Sequence, residues 1–123
     1  MSQEGQSVTG EMTAARVLIV EPSGGIRDLL TLVVRGLGHE VVLDPDASPD
    51  DIDLLLVDTG ESVGFGIARS VHAARPDLPV VVVSIYDQSH RELEFRPKAY
   101  VAMPFRLADL EGAISGALNG ARS

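Results

Sequence analysis

Apolar residues fall along this chain in two kinds of run. Val17-Leu18-Ile19-Val20 is short and continuous, the pattern of a strand covered on both faces of a parallel sheet. After Ser23-Gly24-Gly25 the period changes. Ile26, Leu29, Leu30, Val33, Val34 and Leu37 then mark one helical face, with Arg27, Asp28, Thr31 and Arg35 on the other. Ser23 or Gly24 suits the N-cap of this helix, and Gly36 and Gly38 suit its C-terminus. Further strands are expected over Glu40 to Leu43, Asp53 to Val57, Pro79 to Val83 and Ala99 to Ala102. Ile67, Ala68, Val71 and Ala74 form the apolar side of a helix between the third and fourth strands. Leu107, Leu110, Ile114 and Leu118 do the same for a terminal helix.

Strands alternating with helical segments predict an α/β fold, a doubly wound parallel sheet of five strands with right-handed crossovers. Two connections are short. Only Asp44 to Ile52, rich in Asp and Pro, joins strands two and three. Nine residues reach roughly 30 Å, enough to return along a strand and step over a neighbour about 4.8 Å away. No room remains for a helix, so the second crossover helix is lost or reduced to a turn. Asp87 to Pro97, between strands four and five, holds two or three helical turns at most. The strands carry apolar residues on both sides, and a missing helix leaves part of one face thinly covered. An inward fold of Asp44 to Ile52, or a second molecule, is expected there. The acids Asp44, Asp46, Asp50 and Asp51 are costly to bury, which favours self-association or a partner at the second-strand side.

The 123 residues allow one domain. Residues 1–15 are polar and Gly/Ser-rich and are expected to be a disordered tail, 16–119 the folded domain and 120–123 a short C-terminal tail. No apolar run approaches the roughly 18 residues of a membrane span. There is no cysteine for a disulfide or thiolate site, and a net charge of −8 argues against nucleic acid. These features together predict a soluble cytoplasmic protein. His39, His72 and His90 lack metal-ligand spacing and are expected at the surface or in turns. Val20 to Gly25 lacks the spacing of either nucleotide-binding glycine motif, and no nucleophile–base pair suggests an enzyme.

In such sheets ligands bind outside the carboxyl ends of the strands, where Glu21, Asp58 and Ser84 fall. Ala99-Tyr100-Val101-Ala102-Met103-Pro104-Phe105 follows, with an aromatic residue and a Pro-Phe pair. From about Arg16 to Leu118 the chain resembles the receiver domains of two-component response regulators. The resemblance implies the flavodoxin-like strand order 2-1-3-4-5. It implies Asp58 as phosphoacceptor, Ser84 as the hydroxyl that contacts the phosphoryl group, and Tyr100 with Ser84 as the switch pair. It further implies a Mg²⁺ held by Glu21, Asp58 and the Gly60 carbonyl, a cis bond before Pro104, and a role for Gly66 after the phosphorylation loop.

Two positions depart from the family pattern. Pro22 stands where a second acid is usual, and Met103 where a lysine reaches the phosphoryl group. The first weakens the expected Mg²⁺ site, since losing one carboxylate costs about 1 kcal/mol or more. The second removes the cation that couples phosphoryl oxygen to the moving loop. Lys98 lies at the far end of the strand, roughly 16 Å away, and Arg106 is expected to begin the last helix. The residues also have plainer readings. Asp58 can cap a loop, Ser84 can satisfy nearby backbone groups, and Tyr100 can simply pack on its strand. The expected partners are a histidine kinase or phosphotransfer protein and a downstream protein target. The alternative is a pseudo-receiver that binds proteins without phosphorylation.

Overall fold

The computed structural model describes residues 14–60, 62–84 and 95–122. Five strands form one parallel sheet: β1 (Arg16–Val20), β2 (Glu40–Val42), β3 (Leu54–Val57), β4 (Val80–Ser84) and β5 (Ala99–Ala102), in the order β2-β1-β3-β4-β5. Among the described residues three helices accompany them: α1 (Gly24–Gly36), α2 (Ser62–Ala74) and α3 (Leu107–Arg122). This is the expected order, with the chain reversing between β1 and β3. Most of residues 1–15, and most of the segment between β4 and β5 together with His90, lie outside the described residues. Ala15, assigned to the tail from sequence, is 8 % exposed, and its carbonyl accepts from the Glu40 N–H at 2.8 Å.

Alternation along the strands splits the core in two. Val17, Ile19, Leu54, Leu56, Val81 and Val83 face α1 and α3, whose Leu30, Val34, Leu110 and Ile114 close over them. Leu18, Leu55, Val57, Val80 and Val82 face the other way, against Ala68 and Val71 of α2. Right-handed crossovers dictate this division. The move from β1 to β2 runs against the direction of the others, so its helix lies on the opposite face.

Helix α1 ends as its glycines suggest. Gly38 takes φ +90°, and the His39 N–H reaches back to the Val34 carbonyl at 3.2 Å, closing the last turn. At the other end Ser23 holds the N-cap position, but its side chain makes no capping bond.

Between β2 and β3 the crossover is reduced to a single 3₁₀ turn, Pro49–Asp51, capped by Ser48 accepting from the Asp50 N–H at 3.2 Å. The segment folds inward at one point, burying Ile52 at 2 % exposure. Arg75, just past α2, fastens it there by donating to the carbonyls of Pro49 (2.9 Å) and Ile52 (3.2 Å). Asp44, Asp46, Asp50 and Asp51 all remain exposed. The segment thus resolves the conflict between burial and charge by turning Ile52 in and its acids out.

His39 and His72 are half-buried rather than superficial. The His39 Nδ1 accepts from the Ala15 N–H at 3.1 Å. The His72 ring stacks on Phe95 with centroids 3.9 Å apart.

Candidate functional site

The ends of three neighbouring strands bring the acids together. Val20 of β1 pairs with Val57 of β3, so Glu21 and Asp58 occupy the next positions on adjacent strands, and the Asp58 N–H donates to the Val20 carbonyl at 3.0 Å. Ser84 ends β4 beside them, and the Met103 N–H donates to its carbonyl at 2.8 Å. Glu21, Asp58, Thr59 and Ser84 are the buried polar residues of the described chain.

Asp58 is ordered locally, one carboxylate oxygen accepting from the Gly60 N–H at 2.8 Å. Glu21 is the strained member. Its Oε2 accepts from the Ser23 N–H at 3.1 Å, while its Oε1 is buried without a hydrogen-bond partner among the described residues. Burial pushes the Glu21 carboxyl up to about 7 from an ordinary 4.5. The Asp58 charge adds to the rise, and the Ser23 N–H and Arg27 oppose it. Arg27 is anchored through a hydrogen bond to the Glu21 carbonyl at 3.0 Å.

Two acids and a carboxylate oxygen left without a partner fit a divalent cation, whose charge would add to that of Arg27 beside Glu21. The set is incomplete. Pro22 is exposed and offers no side-chain oxygen, and no cluster of three or more His, Cys, Asp or Glu side chains among the described residues is placed to hold a metal.

Met103 packs against the apolar cluster beneath α1 and α3. The bond between it and Pro104 is cis, as expected. Tyr100 lies on the edge strand β5, 38 % exposed. Lys98 begins that strand, and the Arg106 carbonyl accepts from the Asp109 and Leu110 N–H groups at the start of α3. Neither cation belongs to the acid cluster by chain position.

Gly66 does not support the loop after Asp58, since a Cβ there would meet nothing within 4 Å. Gly64 does. A Cβ at Gly64 would fall 1.9 Å from the Asp58 carbonyl oxygen, so only glycine lets the first turn of α2 lie against the end of β3. Both glycines follow Asp58 closely, and spacing alone does not choose between them.

No protein-family model matches the chain. It is 29% identical over 119 residues to the DNA-binding transcriptional regulator NtrC of Rhizobium meliloti (strain 1021), an alignment covering 87% of this chain and 25% of the regulator. The NtrC of Azospirillum brasilense is 28% identical over 120 residues, covering 88% and 25%. The chain therefore spans about a quarter of the length of these curated relatives. Among solved structures, the receiver (REC) domain of the Erythrobacter litoralis response regulator PhyR superposes with a TM-score of 0.74 at 25% identity, covering 93% of this chain and 97% of that one. This chain has the fold of response-regulator receiver domains and is similar to one over nearly its whole length. NtrX of Brucella abortus shares the fold at a TM-score of 0.69 and 23% identity, over 89% of this chain and 27% of that one. Receiver domains are signalling modules, and this chain carries Pro22 and Met103 where the resemblance leads one to expect an acid and a lysine.

Proposed function

We propose that this receiver domain works in a phosphorelay, taking a phosphoryl group onto Asp58 from a phosphohistidine of a kinase or phosphotransfer protein. A carboxylate oxygen of Asp58 attacks phosphorus, an acyl-phosphate P–O bond forms, and the P–N bond to the imidazole breaks. The departing imidazole takes up a proton. The observation that carries this reading is the buried pair Glu21 and Asp58 at consecutive positions of β1 and β3, with Ser84 ending β4 alongside. Glu21, Asp58 and the Gly60 carbonyl would hold Mg²⁺, which when bound offsets charge on the incoming phosphoryl group. With Pro22 contributing nothing, affinity is expected in the millimolar range or weaker. Ser84 would contact the phosphoryl oxygens, and Ser84 with Tyr100 would form the switch pair.

A second reading rests on Met103. Its side chain packs with the core rather than supplying a cation, so phosphorylation, once made, has no lysine at that position to couple it to the end of β4. In that reading the domain is a cytoplasmic pseudo-receiver that binds a protein whatever the state of Asp58. Acetyl phosphate with Mg²⁺ separates the two. The phosphorelay reading expects a mass increase of one phosphoryl group on the wild type and none on Asp58→Ala. An unmodified wild-type chain at saturating donor supports the pseudo-receiver instead.

A further inference from the structure

The reduced crossover leaves a groove beside α2. Two adjoining cavities of about 310 and 520 Å³ share Pro45, Val63 and Ile67 and run along the flank of that helix. One wall is the α2 stripe Val63, Ile67, Val71 and Ala74, at helical spacing; the other is the β2–β3 connection, with Leu43, Pro45, Ala47 and Pro49. Leu43 is 48 % exposed and Val63 70 %. The walled stretch of α2 is roughly 16 Å long, or three helical turns.

Handedness identifies what the groove is shaped for. A right-handed crossover from β2 to β3 passes over β1 on the α2 face, the position from which this chain has removed a helix. The rim adds a sign. Asp44 and Asp46 are exposed where the connection borders the groove, Asp50 is exposed further along it, and the chain as a whole carries −8, against one lining cation among the described residues, Arg27 at the Glu21 end. A second copy would bring another net charge of −8 to this rim, whereas a basic segment is attracted to it, so the charge favours a basic occupant.

We infer that this groove is the docking site for an amphipathic, basic helix of a partner protein, which takes the place of the missing crossover helix. Apolar side chains at i, i+4 and i+7 of that helix fill the space between Leu43 and Ile67, and Lys or Arg beside them face Asp44 and Asp46. The inference deepens the protein-binding reading and does not require phosphorylation of Asp58.

The test uses two synthetic helix-forming peptides with leucines at i, i+4, i+7 and i+11. One is flanked by lysines, the other by glutamates. Fluorescence polarisation measures their binding to the full chain, and amide NMR shifts locate them. The lysine peptide is expected to bind, to shift Leu43, Val63 and Ile67, and to weaken severalfold between low and moderate salt. Val63→Glu should weaken it about tenfold, the equivalent of one apolar anchor. Asp44→Asn with Asp46→Asn should weaken it about threefold, and Asp58→Ala should leave it unchanged.

Val63→Glu is decisive because it makes the protein more acidic. If the peptide were held only by overall charge, that variant would bind it more tightly, and the proposal would fail. Val63 is largely exposed, and an unchanged thermal midpoint would show that the fold is intact. Equal binding of the two peptides, shifts confined to other surfaces, or a dimer closing the groove in light scattering would each overturn the proposal. So would no binding at all. Loss of acetyl-phosphate labelling with peptide binding intact would remove the phosphorelay reading alone.

Discussion

The two faces of the sheet are built from the same strands but are not finished alike. Leu55 and Leu56 are consecutive residues of β3, both fully buried, and they point to opposite sides. Leu56 lies under two helices, α1 and α3, that interlock through side chains such as Leu30, Val34, Leu110 and Ile114. Among the described residues, Leu55 lies under one helix, α2, and a connection fastened by the two hydrogen bonds of Arg75. Equal burial therefore conceals unequal support, because a helix layer holds its shape when an atom is removed and a short loop can settle inward.

The sharpest way to break this comparison is to cut the same side chain on each face. Leu56→Ala is expected to cost about 4 kcal/mol, near the upper part of the range for such cavities, and Leu55→Ala about 3 kcal/mol, because its surroundings relax into the space. Urea denaturation of both variants checks the order, and a larger loss at Leu55 would show that the single-helix face is the more rigid.

Glycine contrasts give the next effect. Gly64→Ala forces a Cβ onto the Asp58 carbonyl and should cost about 2–3 kcal/mol, the range for overpacking a site with no give. Gly66→Ala, two residues along the same helix with open space around it, should stabilise by about 0.5–1 kcal/mol through helix propensity. The two urea midpoints should move in opposite directions.

A third measurement addresses the strand ends that both faces share. The Glu21 carboxyl is raised to about 7 in the folded chain from an ordinary 4.5, so the folded state binds its proton more tightly than the unfolded state does. Stability from this group is highest below about pH 4.5, falls as pH rises to about 7, and is flat above that. The fall should be about 3 kcal/mol. Denaturation midpoints at several pH values should show that slope in the wild type, and Glu21→Gln should remove it. A slope unchanged by the substitution would move the cause to another residue.

The smallest effect concerns the fastening of the connection. Arg75→Ala removes two hydrogen bonds to loop carbonyls and should cost about 1–2 kcal/mol. It should also raise amide exchange around Ile52 while leaving α1 and α3 unchanged. Exchange rising equally on both faces would mean that the faces are not independent.

Much of this molecule was written in its periodicities. The continuous run Val17 to Val20 required cover on both sides, the change of period after Gly25 marked α1, and the nine residues from Asp44 to Ile52 left no room for a helix. Those features are local, and local sequence determines them because side-chain spacing and chain reach act over a few residues. Glu21, Asp58 and Ser84 could also be placed at strand ends. What only the tertiary structure decided was what lies across from what. Gly64 rather than Gly66 meets the Asp58 carbonyl, since a close approach depends on the angle at which α2 leaves β3. The orphaned Oε1 of Glu21 depends on the packing around it, and the groove beside α2 depends on how far Ile52 and Arg75 draw the connection inward. Spacing along a chain sets which residues can meet; the balance of burial, charge and close packing between distant segments sets which ones do.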